Sequence, residues 1–366
     1  MKQFKIQPWV NAQAPHTQED AAARWATFWD EVEQGKHPAF GPVLQPLPQD
    51  VLGVVQGWGQ TMEHVLWLGL GGSTLGAQAL QQWVQPAGGL KGPRVHFLDH
   101  LCPAGLGEVL VNLPLEKTAL VVISKSGTTL ETTTQLTLFE TAFKAANIVL
   151  SGRVVVVTEP TQNPLQAFAK THRAWAVEHP AALGGRYSVF GPTGQLLLAL
   201  RGVDGAALLR GAQAMRNEIY AAPDAFLQAA LPLCTTLPMH VMYAYGQPLK
   251  MLPFWWCQLW AESLGKAGKG VMPIAASGPA DQHSVQQLFM GGPNDKLYTV
   301  VVPTSTGQGP AVLGQPPVGT LQRAMANGTC ATLAARGRMH RVIELDDRNV
   351  EALGGLLMQL MLEVVA

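Results

Sequence analysis

Short apolar runs alternate with amphipathic stretches along most of the chain, from about residue 51 to its end. Buried strands of a parallel sheet are typically continuous apolar runs, and helices of ten or more residues between them favour a sheet covered on both faces. A run at residues 239–243 is compatible with a strand or a helix. The pattern predicts strands at residues 64–68, 94–98, 119–123, 154–157, 174–177, 297–302 and 341–345.

The amphipathic stretches predict helices at residues 18–33, 74–84, 104–112, 132–146, 188–220, 253–264, 321–335 and 349–366. Strands and helices alternate in this way twice, so the predicted fold class is α/β, with two doubly wound parallel-sheet domains of three αβα layers. We expect an N-terminal helix and tether over residues 1–50, a first domain at 51–190, a helical bridge at 191–224 and a second domain at 225–366. The last helix stops at Val364-Val365-Ala366 without a closing glycine or polar tail, so we expect the second domain to be truncated.

Composition narrows the class of protein. A length of 366 residues suits about two domains. The 25 acidic and 25 basic residues balance, which argues against a nucleic-acid partner. Apolar runs stay shorter than the ~18 residues of a membrane span. The N-terminus has no apolar signal core, so we expect a cytoplasmic protein without a membrane partner. The four cysteines have no paired short spacing, so neither a zinc site nor a disulfide framework is predicted.

The stretch Ser-Lys-Ser-Gly-Thr-Thr-Leu-Glu at residues 124–131 joins a predicted strand to a predicted helix. Backbone N–H groups and the positive end of the helix dipole attract anions at such a junction. The hydroxyl groups add donors, and Lys125 adds a positive charge. These residue types favour a phosphate site over an ordinary helix cap, because a cap needs only one hydroxyl residue.

A second glycine-rich turn, Gly-Leu-Gly-Gly-Ser at residues 69–73, also follows a predicted strand. Its glycine spacing departs from the dinucleotide fingerprint, since Thr74 stands where the third glycine is expected, and no Gly-Lys-Ser/Thr follows as in a nucleotide P-loop. The glycines still allow close backbone approach to an anion, and Ser73 adds a donor. Ligands of such sheets bind at the carboxyl ends of the strands, so the two turns together favour one monophosphate.

Three further residues are candidates for chemistry. Arg186 follows Gly184-Gly185 and can bind phosphate or stabilise an oxyanion, or it can be a surface arginine in a turn. Glu262 ends a tryptophan-rich helix and suits a general base if the aromatic residues raise its pKa; the alternative is a solvated glutamate. His283 follows a Gly/Pro loop and suits proton transfer near neutral pH; the alternative is a loop histidine without a role.

Five motifs in this order resemble the glucose-6-phosphate isomerase family, over the chain from about residue 65 onward. They are Gly-Leu-Gly-Gly-Ser, Ser-Lys-Ser-Gly-Thr-Thr-Leu-Glu-Thr, Gly-Gly-Arg-Tyr-Ser, Glu-Ser-Leu-Gly-Lys and Asp-Gln-His-Ser. The resemblance implies two sugar-isomerase (SIS) domains, which agrees with the two α/β units of the pattern. It also implies interconversion of glucose 6-phosphate and fructose 6-phosphate through an enediolate, without a metal or organic cofactor.

The resemblance also implies a role for each matching residue. Arg186 would stabilise the enediolate, and Glu262 would move a proton between C1 and C2. His283 would assist ring opening, and in the family this histidine reaches the active site from the partner subunit of a homodimer. Gly72 and Gly185 would lie next to the substrate. The phosphate would be held by Ser73, Ser124, Lys125, Ser126 and Thr129.

The chain departs from the family pattern at a few positions. Ser126 and Gly127 stand where a threonine and a bulky residue are common, and Leu264 stands where an asparagine is common. Family members carry a further C-terminal segment whose glutamine and lysine approach the substrate, and the lysine shares in ring opening. This sequence stops before such a segment, so we expect either a truncated form or a handicapped ring-opening step. Two alternatives remain: an SIS isomerase acting on mannose 6-phosphate or an amino sugar phosphate, and a sugar-phosphate-binding protein without catalysis. Residues 1–50 show no DNA-binding module of the kind that a regulator carries.

Overall fold

The computed structural model describes residues 4–12, 19–41, 46–84, 92–304, 309–311, 313–345 and 349–365. Outside these ranges lie the predicted helix start at Gln18, part of the predicted tether, and Ala366. The chain forms two compact units. The middle unit is His37–Ala206, and the terminal unit combines Met1–Lys36 with Ala207–Ala366.

The terminal unit begins with strand β1 (Phe4–Ile6) and helix α1 (Glu19–Glu33). The middle unit then contains five strands and six helices in its described residues. The strands are β2 (His64–Leu68), β3 (Arg94–Leu98), β4 (Thr118–Ile123), β5 (Val154–Thr158) and β6 (Trp175–Glu178). The helices are α2 (Gln49–Thr61), α3 (Leu75–Val84), α4 (Pro103–Asn112), α5 (Leu130–Ala145), α6 (Pro164–His172) and α7 (Pro192–Leu200).

The sheet of the middle unit is parallel throughout, with the strand order β3-β2-β4-β5-β6. Its strands are apolar along most of their length because both faces are covered. On one face, side chains of α4, α5 and α6 form a core cluster with Leu66, Leu120 and Val156. The residues between them, such as Val65, Trp67 and Val121, are also fully buried. Helix α7 contacts both α2 and α3, and these three helices supply the layer on the second face.

The rest of the terminal unit continues the same alternation. Its strands are β7 (Met239–Tyr245), β8 (Met272–Gly278), β9 (Lys296–Pro303) and β10 (His340–Leu345). Its helices are α8 (Gly205–Ala221), α9 (Pro223–Ala230), α10 (Leu252–Leu264), α11 (Gln286–Gly291), α12 (Val318–Ala335) and α13 (Val350–Glu363). In the described part of the chain, no helix combines the length and the apolar character that crossing a bilayer requires.

The terminal sheet has the order β1-β10-β9-β7-β8, and only β1 runs antiparallel to its neighbour among the described strands. One face packs against α11 and α12 through a cluster that includes Tyr243, Tyr245 and Tyr298. On the other face, His240 of β7 contacts the rings of Trp256 and Trp260 of α10. The predicted α/β class with two parallel sheets is therefore confirmed.

Three features differ from the sequence pattern. Strand β8 was not predicted, because Pro273 and a series of small residues weaken its signal; an edge strand tolerates both. The ambiguous run at 239–243 is part of strand β7. The predicted helix at 188–220 is divided into α7 and α8, with Gly202 between them at a φ of 63°.

A buried ion pair fixes α13 to the terminal sheet. The Arg341 guanidinium donates to both Glu363 oxygens at 2.7 and 2.6 Å, and both side chains are 1% exposed. Arg341 Nε also donates to Thr299 at 3.0 Å, and Gln359 donates to Glu363 at 3.0 Å. Removing one partner would leave a buried charge uncompensated, which costs far more than the pair itself contributes.

We expect Glu363→Gln to lower the free energy of unfolding of the terminal unit by about 3 kcal/mol, because Arg341 loses its buried counter-charge. The matched control is Glu351→Gln, since Glu351 pairs with Arg210 at 3.7 Å and these side chains are 41% and 57% exposed. That change should cost less than about 1 kcal/mol. Urea denaturation measures both values, and equal losses would contradict the prediction.

Candidate active site

The turn after β4 presents its hydroxyl groups at the carboxyl edge of the middle sheet. Ser124 and Thr129 share a hydrogen bond at 2.7 Å, and Ser126 and Thr128 share another at 2.9 Å. The N–H of Gly127 donates to the Ser124 carbonyl at 3.0 Å, which closes the turn. Thr129 occupies the N-cap position of α5, but its side chain makes no capping bond to that helix. The turn is therefore fixed by bonds within itself.

Gly127 explains one departure from the family pattern. Its φ is 69°, and a β-carbon there would lie 2.1 Å from Asn163 Oδ1. Asn163 in turn caps α6 by accepting the N–H of Gln166 at 3.0 Å. A bulky residue at 127 would have to displace this cap, so the glycine is required by the local packing.

The turn after β2 packs against the Gly184-Gly185 turn. A β-carbon on Gly72 would lie 2.2 Å from the Gly185 carbonyl oxygen. Ser188 Oγ donates to the Gly72 carbonyl at 2.5 Å, and Trp67 Nε1 donates to the Ser73 carbonyl at 2.7 Å. These bonds fix the backbone of the 69–74 turn and explain why no side chain is present at Gly72.

These turns follow adjacent strands at the point where the strand order reverses. Strand β2 pairs with β3 on one side and β4 on the other, so the crossover that leaves β2 and the crossover that leaves β4 run in opposite directions and lie on opposite faces. Ligands of doubly wound sheets bind in the crevice that this reversal opens. A cavity of about 280 Å³ lies there. It is lined by Leu70, Gly72, Ser73, Ile123, Ser124, Lys125, Ser126, Thr129, Thr132, Glu159, His179 and Gly185.

The resemblance implied that five residues bind the phosphate and that Gly72 and Gly185 lie next to the substrate. All seven of these residues line this one cavity. Two further lining residues, Glu159 and His179, were not expected from the sequence. Glu159 directly follows β5 and His179 directly follows β6, and this position is the sequence feature that could have indicated them. Their N–H groups donate to the carbonyls of Lys125 and Thr158 at 2.9 and 2.8 Å, so they also connect the strand ends.

Charges in the cavity are mixed. Lys125 Nζ lies 3.9 Å from Glu159 Oε1, a loose and partly exposed pair. The His179 side chain is buried, and burial lowers its pKa, with the Lys125 charge as a smaller contribution in the same direction. His179 is thus favoured in its neutral form, and Lys125 supplies the positive charge for an anion.

Arg186 belongs to the short 3-10 turn Gly185–Phe190 and is half-buried. Its guanidinium lies 4.4 Å from the centre of the Tyr187 ring, a cation–π contact that orients the side chain. It does not line the 280 Å³ cavity itself, although the adjacent Gly185 does.

Glu262 and His283 belong to the terminal unit. Glu262 is exposed near the end of α10, and its Oε1 accepts the Gln258 amide at 2.8 Å. Trp256 and Trp260 pack against His240, whereas Glu262 is exposed. His283 is exposed at the end of the turn Ala280–His283, and helix α11 begins three residues later at Gln286.

The fold and the cavity define the class of protein: a two-domain α/β protein with a cavity, lined by hydroxyl groups and a lysine, at the reversal point of a parallel sheet. Comparisons with known proteins agree. The family described as phosphoglucose isomerase matches residues 52–294. A glucose-6-phosphate isomerase of Thermus thermophilus is 36% identical over 82% of this chain and 77% of its own length. One from Rubrobacter xylanophilus is 33% identical over 80% of this chain and 74% of its own.

Solved structures share the fold. A hypothetical protein, also from Thermus thermophilus, superposes with a TM-score of 0.81 at 32% identity, covering 95% of this chain and 90% of that one. A glucose-6-phosphate isomerase of Chlamydia trachomatis shares the fold, with a TM-score of 0.73 at 19% identity over 100% of this chain and 76% of that one. The chain belongs to the phosphoglucose isomerase family.

We expect Gly127→Ala to weaken binding of inorganic phosphate to this cavity by about tenfold or more, because the β-carbon displaces Asn163 and distorts the turn. Gly152→Ala is the matched control. Gly152 also has a positive φ, 86°, but nothing lies within 4 Å of its β-carbon position. Titration calorimetry measures both affinities, and an unchanged affinity in the Gly127 variant would contradict the assignment.

Proposed function

We propose that this protein interconverts glucose 6-phosphate and fructose 6-phosphate, as the names of its curated relatives indicate for them. The observation that carries the proposal is the convergence of Ser73, Ser124, Lys125, Ser126 and Thr129 on one cavity. A monophosphate on a sugar matches a site with one full positive charge and several hydroxyl donors.

The phosphate grip serves a reaction at the other end of the substrate. Binding energy from a part of the substrate that does not react can hold the reacting carbons in position. The Lys125 ammonium group and the hydroxyl groups around it bind the phosphate oxygens, and Gly72 and Gly185 let the sugar approach the backbone. The phosphate site therefore acts as a handle, and the proton chemistry takes place elsewhere.

The proton transfers are assigned to three residues. His283 assists ring opening, in which the ring oxygen gains a proton and the hydroxyl on the anomeric carbon loses one. Glu262 then takes the proton from C2 of the open-chain aldose and returns it to C1, while the hydroxyl proton on O2 passes to O1. The Gln258 amide, which donates to Glu262 at 2.8 Å, holds the carboxylate in one orientation. Arg186 stabilises the negative charge of the enediolate between these two steps.

We further propose a homodimer that works in the cytoplasm, where phosphorylated sugars are retained. Apolar side chains next to His283 support a partner surface: Val285 is 38% exposed and Leu288 is 55% exposed. Covering them in a dimer would remove apolar area from water and place His283 at the interface. Sedimentation of the wild type and of Leu288→Glu tests this part, and a monomeric wild type would contradict it.

The activity is tested by supplying fructose 6-phosphate and coupling glucose 6-phosphate formation to a dehydrogenase. Conversion at a kcat/KM well above that for mannose 6-phosphate and glucosamine 6-phosphate supports the proposal. Preference for either of those would identify a different sugar-phosphate isomerase. Tight fructose 6-phosphate binding without any turnover would indicate a binding protein instead.

We expect Glu262→Gln to lower kcat by about 10³-fold and to abolish exchange of the C2 hydrogen with solvent, because the amide cannot accept the proton. The KM should stay within about threefold, since the phosphate site is unchanged. Glu218→Gln, at an exposed position of α8, is the control and should retain wild-type exchange. Proton NMR in D₂O measures the exchange, and unchanged exchange would exclude Glu262 as the base.

We expect Lys125→Met to raise the KM for fructose 6-phosphate by roughly 30-fold, because the phosphate site loses the positive charge of the Lys125 ammonium group. The loss of kcat should be smaller than in the Glu262 variant. Lys170→Met, at an exposed position of α6, removes a charge from the same unit without touching the cavity. Steady-state kinetics compare the two, and equal KM values would remove Lys125 from the phosphate site.

A further inference from the structure

The turn that carries His283 is tied to the core through its neighbour Gln282. Gln282 Nε2 donates to Tyr245 Oη at 2.8 Å and to Thr329 Oγ1 at 2.9 Å. The two hydroxyls also bond each other at 2.7 Å. Tyr245 lies at the end of β7 and Thr329 lies on α12, so one side chain joins the turn to two other elements.

The Tyr245 and Thr329 hydroxyl groups, which anchor Gln282, are buried and fixed in place. Tyr245 is 0% exposed and Thr329 is 1% exposed. The Tyr245 ring lies against Gly278 of the neighbouring strand, where a β-carbon would be 2.4 Å from the ring. Without the Gln282 amide, the two buried hydroxyl groups would lose a hydrogen bond that water cannot replace. The bonds therefore stabilise both the turn and the hydroxyl pair.

A second tie acts on the other flank of His283. Asp281 Oδ2 accepts the N–H of Ser277, in β8, at 2.7 Å. Its Oδ1 accepts the Ser284 hydroxyl at 2.8 Å. The residues on both sides of His283 are therefore tied to the sheet, directly or through Asp281, while His283 itself is exposed.

We propose that Gln282 is a positioning residue for His283: its bonds to the buried Tyr245–Thr329 pair set the direction in which the histidine leaves the turn. This inference rests on the proposed isomerase function. A proton donor on an exposed turn must be aimed to within a fraction of an ångström to serve the ring oxygen. The anchor supplies that aim without touching the substrate.

The test uses Gln282→Met, which keeps the length of the side chain and removes its amide, and Tyr245→Phe, which removes only the hydroxyl. Both should slow ring opening and kcat by about tenfold, with KM within about twofold. Ring opening is measured directly as exchange between the α and β anomers of glucose 6-phosphate by NMR. The double variant should lose no more anomer exchange than Gln282→Met alone, because Gln282→Met already removes the bond between the turn and Tyr245.

Tyr298→Phe is the matched control. Its hydroxyl is also buried in the terminal core, but it donates to the Phe289 carbonyl at 3.2 Å and not to Gln282. This variant should lower the melting temperature about as much as Tyr245→Phe while keeping wild-type anomer exchange. If Gln282→Met does not fold, anomer exchange in Tyr245→Phe and Thr329→Val is compared with that in Tyr298→Phe instead.

The outcomes distinguish the proposed isomerase function from the positioning role of Gln282. Wild-type protein that does not convert fructose 6-phosphate overturns the proposed function. An active wild type with unchanged anomer exchange in Gln282→Met and Tyr245→Phe overturns the positioning role. An equal loss of exchange in Tyr298→Phe also overturns it, because the effect would then come from general loss of stability.

Discussion

Two close backbone contacts at the carboxyl edge of the middle sheet determine the shape of the anion cavity. Gly72 lies against the Gly185 carbonyl, and Gly127 lies against the Asn163 side chain, with no space for a β-carbon at either glycine. The first contact joins the turn after β2 to the turn before α7, and the second joins the turn after β4 to the cap of α6. The hydroxyl and N–H donors around the cavity keep their positions because these turns cannot move apart.

The two units carry different kinds of residue, and this division follows from the chemistry. The middle unit carries the hydroxyl-lined cavity, whose lining includes the Lys125 ammonium group and a neutral, buried His179. The terminal unit supplies a carboxylate and an imidazole on exposed positions, where they can exchange protons. An isomerase needs both: a rigid grip on the group that does not react, and mobile protons at the carbons that do.

Much of the fold followed from the sequence because apolar β-branched runs mark buried parallel strands well. Strands β2 and β3 were predicted to the residue, whereas β8 was missed because its proline and small residues resemble a loop. In the site, hydroxyl residues and Lys125 signalled an anion on their own. Glu159 and His179 did not, since neither residue type suggests phosphate and only their positions after strands placed them in the cavity.

The anchor of His283 could not have been found in the same way. Gln282 lies 37 residues from Tyr245 and 47 from Thr329 along the chain, and the contact exists only once β7, α12 and the turn are assembled. The surroundings of Glu262 could not be predicted for a related reason. The spacing of the tryptophans along α10 does not reveal that their rings turn toward His240 in the sheet.

In the proposed function, the Ser124–Thr129 turn holds the phosphate group and this binding makes the reaction at C1 and C2 possible. The most direct measurement compares kcat/KM for fructose 6-phosphate with that for fructose under the same conditions. The account predicts rapid conversion of the phosphate ester and a kcat/KM for fructose lower by roughly 10⁴-fold. Comparable values for the two sugars would contradict it.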